Sequence, residues 1–155
     1  MHFHVVDIHQ NKDGILSYTL AVLSLDGSGP QKRGVSVNVQ PSKLVVKKSL
    51  IPVTFRLRNN GQTAPLPTGL HPSALAQHFD YDLYRLEASV EGKGWQAKLL
   101  NALAAVPFGQ EKEITVYLLP GDDCSKKATI SLNTVSESDP RAQAQAKAEV
   151  LLGRD

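Results

Sequence analysis

Few residues in this chain could do chemistry, and their spacing decides against most of it. His2 and His4 stand two apart in an alternating segment, so on a strand both imidazoles leave the same face, with Asp7 and His9 close behind. That pair could hold part of a metal site. A zinc centre needs three or four ligands and a supporting shell, and no further ligand follows at a usable spacing. The four residues therefore read as N-terminal surface or hairpin positions. His71 and His78 are seven apart, roughly 10 Å along a helix, too far for adjacent turns to share one ion. No His-Glu-x-x-His string occurs.

Cys124 is the only cysteine, which excludes an intrachain disulfide. It follows Asp122 and Asp123, whose charge opposes a thiolate and argues against a nucleophile. No serine sits in a Gly-x-Ser-x-Gly elbow. Gly92-Lys93-Gly94 runs into a strand pattern, not a helix N-terminus, so it is a turn and no phosphate cradle. Asp80 with Asp82, Asp122 with Asp123, and Glu137 with Asp139 could offer oxygens to calcium from loops, yet none has the spacing of a defined calcium loop. Trp95 poses the sharpest choice. Exposed, it would be a stacking platform for a sugar ring; its alternation with Ala97 and Leu99 favours the interior instead. A sugar-binding face would want a second aromatic where Ala97 stands. The expected inventory is thus no catalytic residue, no metal ligand and no cofactor site.

Composition narrows the class further. The 155 residues suit one ordinary domain with a small attached piece. A balance of 17 Lys and Arg against 15 Asp and Glu supplies no concentrated positive field of the kind a nucleic-acid partner requires. No run approaches the roughly 20 apolar residues that cross a bilayer. Met1 leads straight into an alternating segment with no signal peptide, so a longer natural polypeptide, with its targeting signal elsewhere, is expected.

The elements that carry these residues read as strands. Residues 51–58 set the pattern: Ile51, Val53, Phe55 and Leu57 on one side, Thr54, Arg56 and Arg58 on the other, stopped by Asn59-Asn60-Gly61, residues that tolerate a left-handed backbone. Residues 2–9 and 15–23 form a hairpin closed by Asp13-Gly14. Such a hairpin is marginal alone and must pack on something. Residues 26–34 hold no apolar side chain and form a linker. Val35–Val39 and Leu44–Val46 read as an edge strand bent at Pro41. Strands follow around Tyr84–Val90, Trp95–Leu99, Ile114–Leu118, Ala128–Leu132 and Ala142–Val150, the last called a strand because its alanines recur every second position despite their helix propensity. Pro72–Phe79 is the only credible helix. The expectation is an all-β chain: an N-terminal β-hairpin (1–25), a linker (26–34) and an immunoglobulin-like antiparallel β-sandwich of seven to eight strands (35–152).

Residues 35–152 also resemble the bacterial immunoglobulin-like modules found behind catalytic domains of secreted hydrolases, the alpha-galactosidase-associated and cell-adhesion-related types. The resemblance rests on Val53-Thr54-Phe55-Arg56-Leu57-Arg58-Asn59-Asn60-Gly61, Asp82-Leu83-Tyr84-Arg85-Leu86, Gly94-Trp95, Pro107-Phe108-Gly109-Gln110 before Ile114-Thr115-Val116, and Ser136-Glu137-Ser138-Asp139-Pro140. With Asn101-Ala102-Leu103-Ala104, the set is most similar to the C-terminal module of secreted metallopeptidases of the immune inhibitor A type. The resemblance implies a non-catalytic accessory module of an exported hydrolase, a peptidase, that packs on or spaces the catalytic domain or touches substrate. It implies an extracellular or cell-surface location and a partner that is either the catalytic domain in cis or an extracellular protein or glycan. The zinc helix of such peptidases is absent here, so no catalytic residue carries over. The segment 62–79 is longer than the turn usual in these modules and suits the alternative, an independent cell-surface binding domain for a glycan or protein.

Overall fold

The computed structural model describes residues 2–23, 31–47, 49–65 and 80–153. Among them run eleven strands: β1 His2–Gln10, β2 Leu16–Leu23, β3 Val35–Val39, β4 Lys43–Val46, β5 Ile51–Asn59, β6 Tyr81–Glu91, β7 Trp95–Leu99, β8 Leu103–Pro107, β9 Glu111–Pro120, β10 Lys127–Ser136 and β11 Gln143–Leu152. Lys48 and residues 66–79, which include His71, His78 and the helix expected at Pro72–Phe79, lie outside the described residues, as do residues 24–30 of the expected linker.

β5 buries Ile51, Val53, Phe55 and Leu57 and turns Pro52, Arg56 and Arg58 outward, as its alternation predicts. It is central in a four-stranded sheet ordered β3-β5-β9-β7, which faces a five-stranded sheet ordered β4-β11-β10-β6-β8. Between them lie Phe55, Leu57, Tyr84, Val116, Leu118, Ile130, Leu132 and Val150, each at most 1% exposed. Burying an aliphatic or aromatic side chain of this size contributes about 1.5 to 3 kcal/mol, so this layer supplies the main driving force. The result is an all-β, immunoglobulin-like sandwich preceded by a β-hairpin.

The sandwich's nine strands are seven passes, because two passes change sheets midway. β3 pairs antiparallel with β5, the chain bends at Gln40 and Pro41, and β4 joins β11 in parallel. Proline donates no ladder hydrogen bond, so it suits the break between the two pairings. β7 likewise pairs with β9, after which β8 crosses over to β6. β8 is a strand the sequence pattern left unassigned. β11 is a strand, as its every-second-residue alanines require: Ala148 is buried, Ala144 and Ala146 are half-buried, and the row packs near β3 in the opposite sheet.

Among the described residues the hairpin pairs only with itself, from His2↔Leu23 to Gln10↔Leu16. Its turn is locked by Asn11, whose Oδ1 accepts from the amides of Asp13 at 2.9 Å and Ile15 at 2.8 Å, while Gly14 adopts φ +80°. β1 lies against β8, the edge of the five-stranded sheet. Leu83 on β6 faces away from the inter-sheet core that Tyr84 and Leu86 enter, yet it is only 1% exposed, as is Val6 of β1. The hairpin is therefore the cover over that outer face.

Candidate functional site

The densest polar cluster sits at the end of the sandwich where the chain enters it. Asp82, fully buried, accepts from Arg33 Nη1 at 3.0 Å and from its neighbouring Leu83 amide at 2.9 Å through Oδ1, and from Ser136 Oγ at 2.8 Å through Oδ2. The Arg33 guanidinium also lies 5.4 Å from the centre of the Phe108 ring, within cation–π range. The Tyr84 hydroxyl donates to the Gly34 carbonyl at 2.9 Å. Burial, and then the charge of Asp82, push that hydroxyl's pKa well up, so it stays protonated. Lys32 and Gln62 exchange two backbone hydrogen bonds at 2.8 and 3.1 Å. Both oxygens of Asp82 are engaged, so the carboxylate is not poised as a base. The cluster clamps residues 32–34 onto the sandwich.

Asn59 has a second such role. Wholly buried, it donates through Nδ2 to the Val106 carbonyl and accepts the Gly61 amide on Oδ1, both at 2.9 Å. Gly61 is not in a left-handed conformation; a Cβ there would stand 2.6 Å from the Lys32 carbonyl oxygen and from Phe108 Cε1. It is glycine because the entering chain and the Phe108 ring press against it.

The other candidate residues disperse. His4 is half-buried on β1, His9 is exposed, and among the described residues no group of three or more His, Cys, Asp or Glu is placed to hold a metal ion. Asp80 is exposed on one bend, and Asp122 and Asp123 are exposed together on another turn. Glu137 is bound by Arg85 at 2.7 and 3.1 Å. Arg141 grips Asp139 through two side-chain hydrogen bonds and its own amide, holding that carboxyl below its ordinary range. Trp95 is buried, 6% exposed, and its indole N–H donates to the Ser125 carbonyl at 2.9 Å, so it is no sugar platform. Gly92-Lys93-Gly94 is a turn, with Gly94 at φ +73° close enough to Cys124 that a Cβ would meet its Cα at 2.9 Å. Cys124 is thereby a partly covered packing residue.

Two open surfaces stand out among the described residues. One is a polar concavity of about 540 Å³ lined by Ser36, Asn38, Arg58, Asn60, Gln62 and Glu111, among others. The other is apolar and lies on the hairpin. Phe3 opposes Val22 and Val5 opposes Leu20 across the ladder. A bulge sets three steps of β1, from Val6 to His9, against two of β2, from Thr19 to Ser17, which turns Ile8 to the face of Phe3 and Val5. Leu16 and Tyr18 complete the face, and all seven side chains are 47 to 64% exposed. The sequence signalled the alternation of Leu16, Tyr18, Leu20 and Val22 but not that their face would stay uncovered.

A family model described as a Peptidase M6-like domain matches residues 34–152. A protein of Arthroderma benhamiae, named as an inferred secreted metallopeptidase, is 32% identical over 155 residues, taking in 97% of this chain and 23% of that relative. The chain thus spans under a quarter of the relative's length, and the match reaches back through most of the hairpin. Among solved structures, a FixG-related protein from Vibrio parahaemolyticus aligns with TM-score 0.49 and 16% identity, over 79% of this chain and 98% of that one. A C. elegans MSP family member, WR4, aligns with TM-score 0.42 and 12% identity, over 76% and 97%.

Proposed function

The chain belongs to the Peptidase M6-like domain family, and from that premise we propose that it is a non-catalytic accessory module of an exported metallopeptidase. The observation that carries this reading is the partial span: the match covers 23% of a relative named as a secreted metallopeptidase, which leaves the larger part of that relative to house catalysis. The local chemistry agrees. Asp82, the buried carboxylate, is spent on Arg33, Ser136 and a backbone amide, and Glu137 and Asp139 are spent on arginines. In this reading residues 1–25 are the hairpin at the tail of the preceding unit, 26–34 the linker and 35–152 the sandwich, which packs on or spaces the catalytic domain outside the cell or at its surface.

The test compares proteolysis by this chain with that by the complete native polypeptide. Chelator-sensitive hydrolysis of an unstructured protein substrate is expected of the complete polypeptide and not of residues 1–155. Hydrolysis by the 155 residues alone overturns the reading.

The polar concavity beside Gln62 favours a second reading, an independent cell-surface binding domain for a glycan or protein. Its lining of amides, hydroxyls, an arginine and a glutamate can exchange hydrogen bonds with a polyol. Saturable binding in a calorimetric panel of polysaccharides and cell-wall fragments, lost in Asn38→Ala with Arg58→Ala, supports it; no binding rejects it.

A further inference from the structure

Asn60-Gly61 is the only Asn-Gly pair in the chain, and we propose that it is a latent deamidation site. The folded module holds the site closed through the Asn59 side chain and the seating of residues 32–34. Once that seating lifts, Asn60 converts to aspartate and isoaspartate, and the change is permanent.

The reaction uses the Gly61 amide nitrogen as nucleophile. On losing its proton, that nitrogen bonds to Asn60 Cγ, the Cγ–Nδ2 bond breaks, and the departing amine takes up a proton and leaves as ammonia. Water then opens the resulting succinimide at either of its carbonyls, which gives aspartate or isoaspartate. Asparagine is a thermolabile residue type. Glycine is the least hindering residue to follow it, because no Cβ restricts its backbone. Asn60 is exposed, so water reaches it freely.

The nucleophile, by contrast, is withheld. The Gly61 N–H donates to Asn59 Oδ1 at 2.9 Å, and Asn59 is wholly buried and anchored through Nδ2 to the Val106 carbonyl. The backbone is pinned on both sides of the pair. The Asn60 amide donates to the Gly34 carbonyl at 3.1 Å, and Gln62 and Lys32 exchange hydrogen bonds at 2.8 and 3.1 Å. A Cβ on Gly61 would stand 2.6 Å from the Lys32 carbonyl oxygen. The arriving chain therefore packs directly on Gly61 and restrains the swing that would carry its nitrogen to Asn60 Cγ.

The groups that close the site are those that clamp residues 32–34, with Arg33 held on Asp82 beside them. Opening a segment of this kind costs less than parting the sheets, so local lifting of residues 32–34 admits the reaction. The products then oppose reclosure. Isoaspartate adds a carbon to the main chain between the amide bonded to Gly34 and the amide bonded to Lys32, so the two pairings no longer share a register. Either product also places a carboxylate on the wall of the polar concavity that already holds Glu111.

The test incubates the 155-residue chain at mildly alkaline pH, in buffer and in unfolding urea, and follows Asn60 by peptide mass mapping with isoaspartate detection. Conversion is expected to be at least about tenfold slower in the folded chain, a factor that a modest local opening free energy supplies. The slowing should be no smaller than the protection of the Gly61 amide against deuterium exchange, since both require the same N–H to be freed. Lys32→Pro removes the amide that donates to the Gln62 carbonyl, and should speed conversion several-fold while leaving deuterium uptake in β9 and β10 unchanged. The isoaspartate form, separated by ion exchange, should show lost protection at residues 32–34 and 60–62. Equal rates in buffer and urea, a slowing smaller than the Gly61 protection, a folded Lys32→Pro chain that converts no faster, or full protection in the isoaspartate form would each overturn the proposal. If Lys32→Pro does not fold, the three measurements on the natural sequence decide it.

Discussion

Arg33 Nη1 stands 3.0 Å from Asp82 Oδ1, with 9% of the arginine side chain and none of the aspartate side chain exposed. This pair joins the chain arriving from the hairpin to the third strand-pass of the sandwich, 49 residues further on. Removing one member leaves a buried charge unpaired, which costs about 3 to 5 kcal/mol. Arg33→Met should lower stability by that amount in a urea titration. The double variant Arg33→Met with Asp82→Asn should lose less, because the amide can still meet Ser136 and no charge remains buried. A double variant worse than the single one would rule out this electrostatic account.

Gly61 and Gly109 separate two reasons for glycine. At Gly61 a Cβ meets the Lys32 carbonyl oxygen and the Phe108 ring at 2.6 Å, so Gly61→Ala should cost about 1 to 3 kcal/mol through overpacking. At Gly109 the backbone is left-handed, φ +77°, with nothing near the added carbon, so Gly109→Ala should cost about 1 to 2 kcal/mol through backbone conformation alone. Phe108→Leu in the background of each distinguishes them in thermal melts. It should partly rescue the first and not the second.

The same residues mark how much of the fold was legible in the sequence. Where one face of a strand is dry and the other wet, as in β5, the alternation prints directly into residue types, and Trp95 at the head of β7 could be placed indoors by the same logic. β8 hid because it has no wet face: Ala104 and Val106 enter the core while Leu103 and Ala105 are half-buried on the side where the hairpin lies. The sheet changes at β3–β4 and β7–β8 depend on pairings far away in the chain, which no local pattern records. Asp82 looked like a calcium candidate because its partner, Arg33, is distant in sequence. The apolar side of the hairpin was visible as alternation, but a strand pattern does not say whether its dry face has found a cover.

Trp95 is the chain's single tryptophan and reports its own environment. Trp95→Ala empties a packed position and should cost about 3 to 5 kcal/mol. Trp95→Phe keeps most of the packing but leaves the Ser125 carbonyl without its 2.9 Å donor, for about 0.5 to 1.5 kcal/mol. In the unsubstituted protein the indole emission should shift to longer wavelength in step with loss of far-ultraviolet strand signal. A shift that precedes it would mean the turn around Gly94 opens before the sheets part.

Tyr84 gives the stability a dependence on alkaline pH. Its hydroxyl is buried beside Asp82, so ionisation is held off in the folded state, whereas in the unfolded chain it titrates near its ordinary value of about 10. The unfolded state therefore loses this proton first. By linkage the contribution of Tyr84 is intact below pH 10 and declines as pH rises above it toward the elevated folded-state value. Denaturant midpoints measured from pH 8 to 11.5 should fall more steeply above pH 10 in the natural sequence than in Tyr84→Phe. The variant should also be slightly less stable at pH 8, since Gly34 loses its 2.9 Å donor. Parallel curves would mean that the hydroxyl ionises equally in both states.

Val6 tests whether the hairpin and the sandwich are separate units. It is 1% exposed on the face of β1 turned toward β8, outside the main core. An aspartate there must be desolvated without a partner, so the hairpin's seat is lost while every contact between the two sheets remains. A two-stranded hairpin released in this way is marginal in water. Hydrogen exchange of Val6→Asp should therefore show protection collapsing in β1 and β2 and persisting in β5, β9 and β10. Thr19→Asp, at the exposed cross-strand partner of Val6, should leave both intact. Loss of protection throughout the molecule would mean that hairpin and sandwich unfold as one body, and the division at residues 26–34 would have to be abandoned.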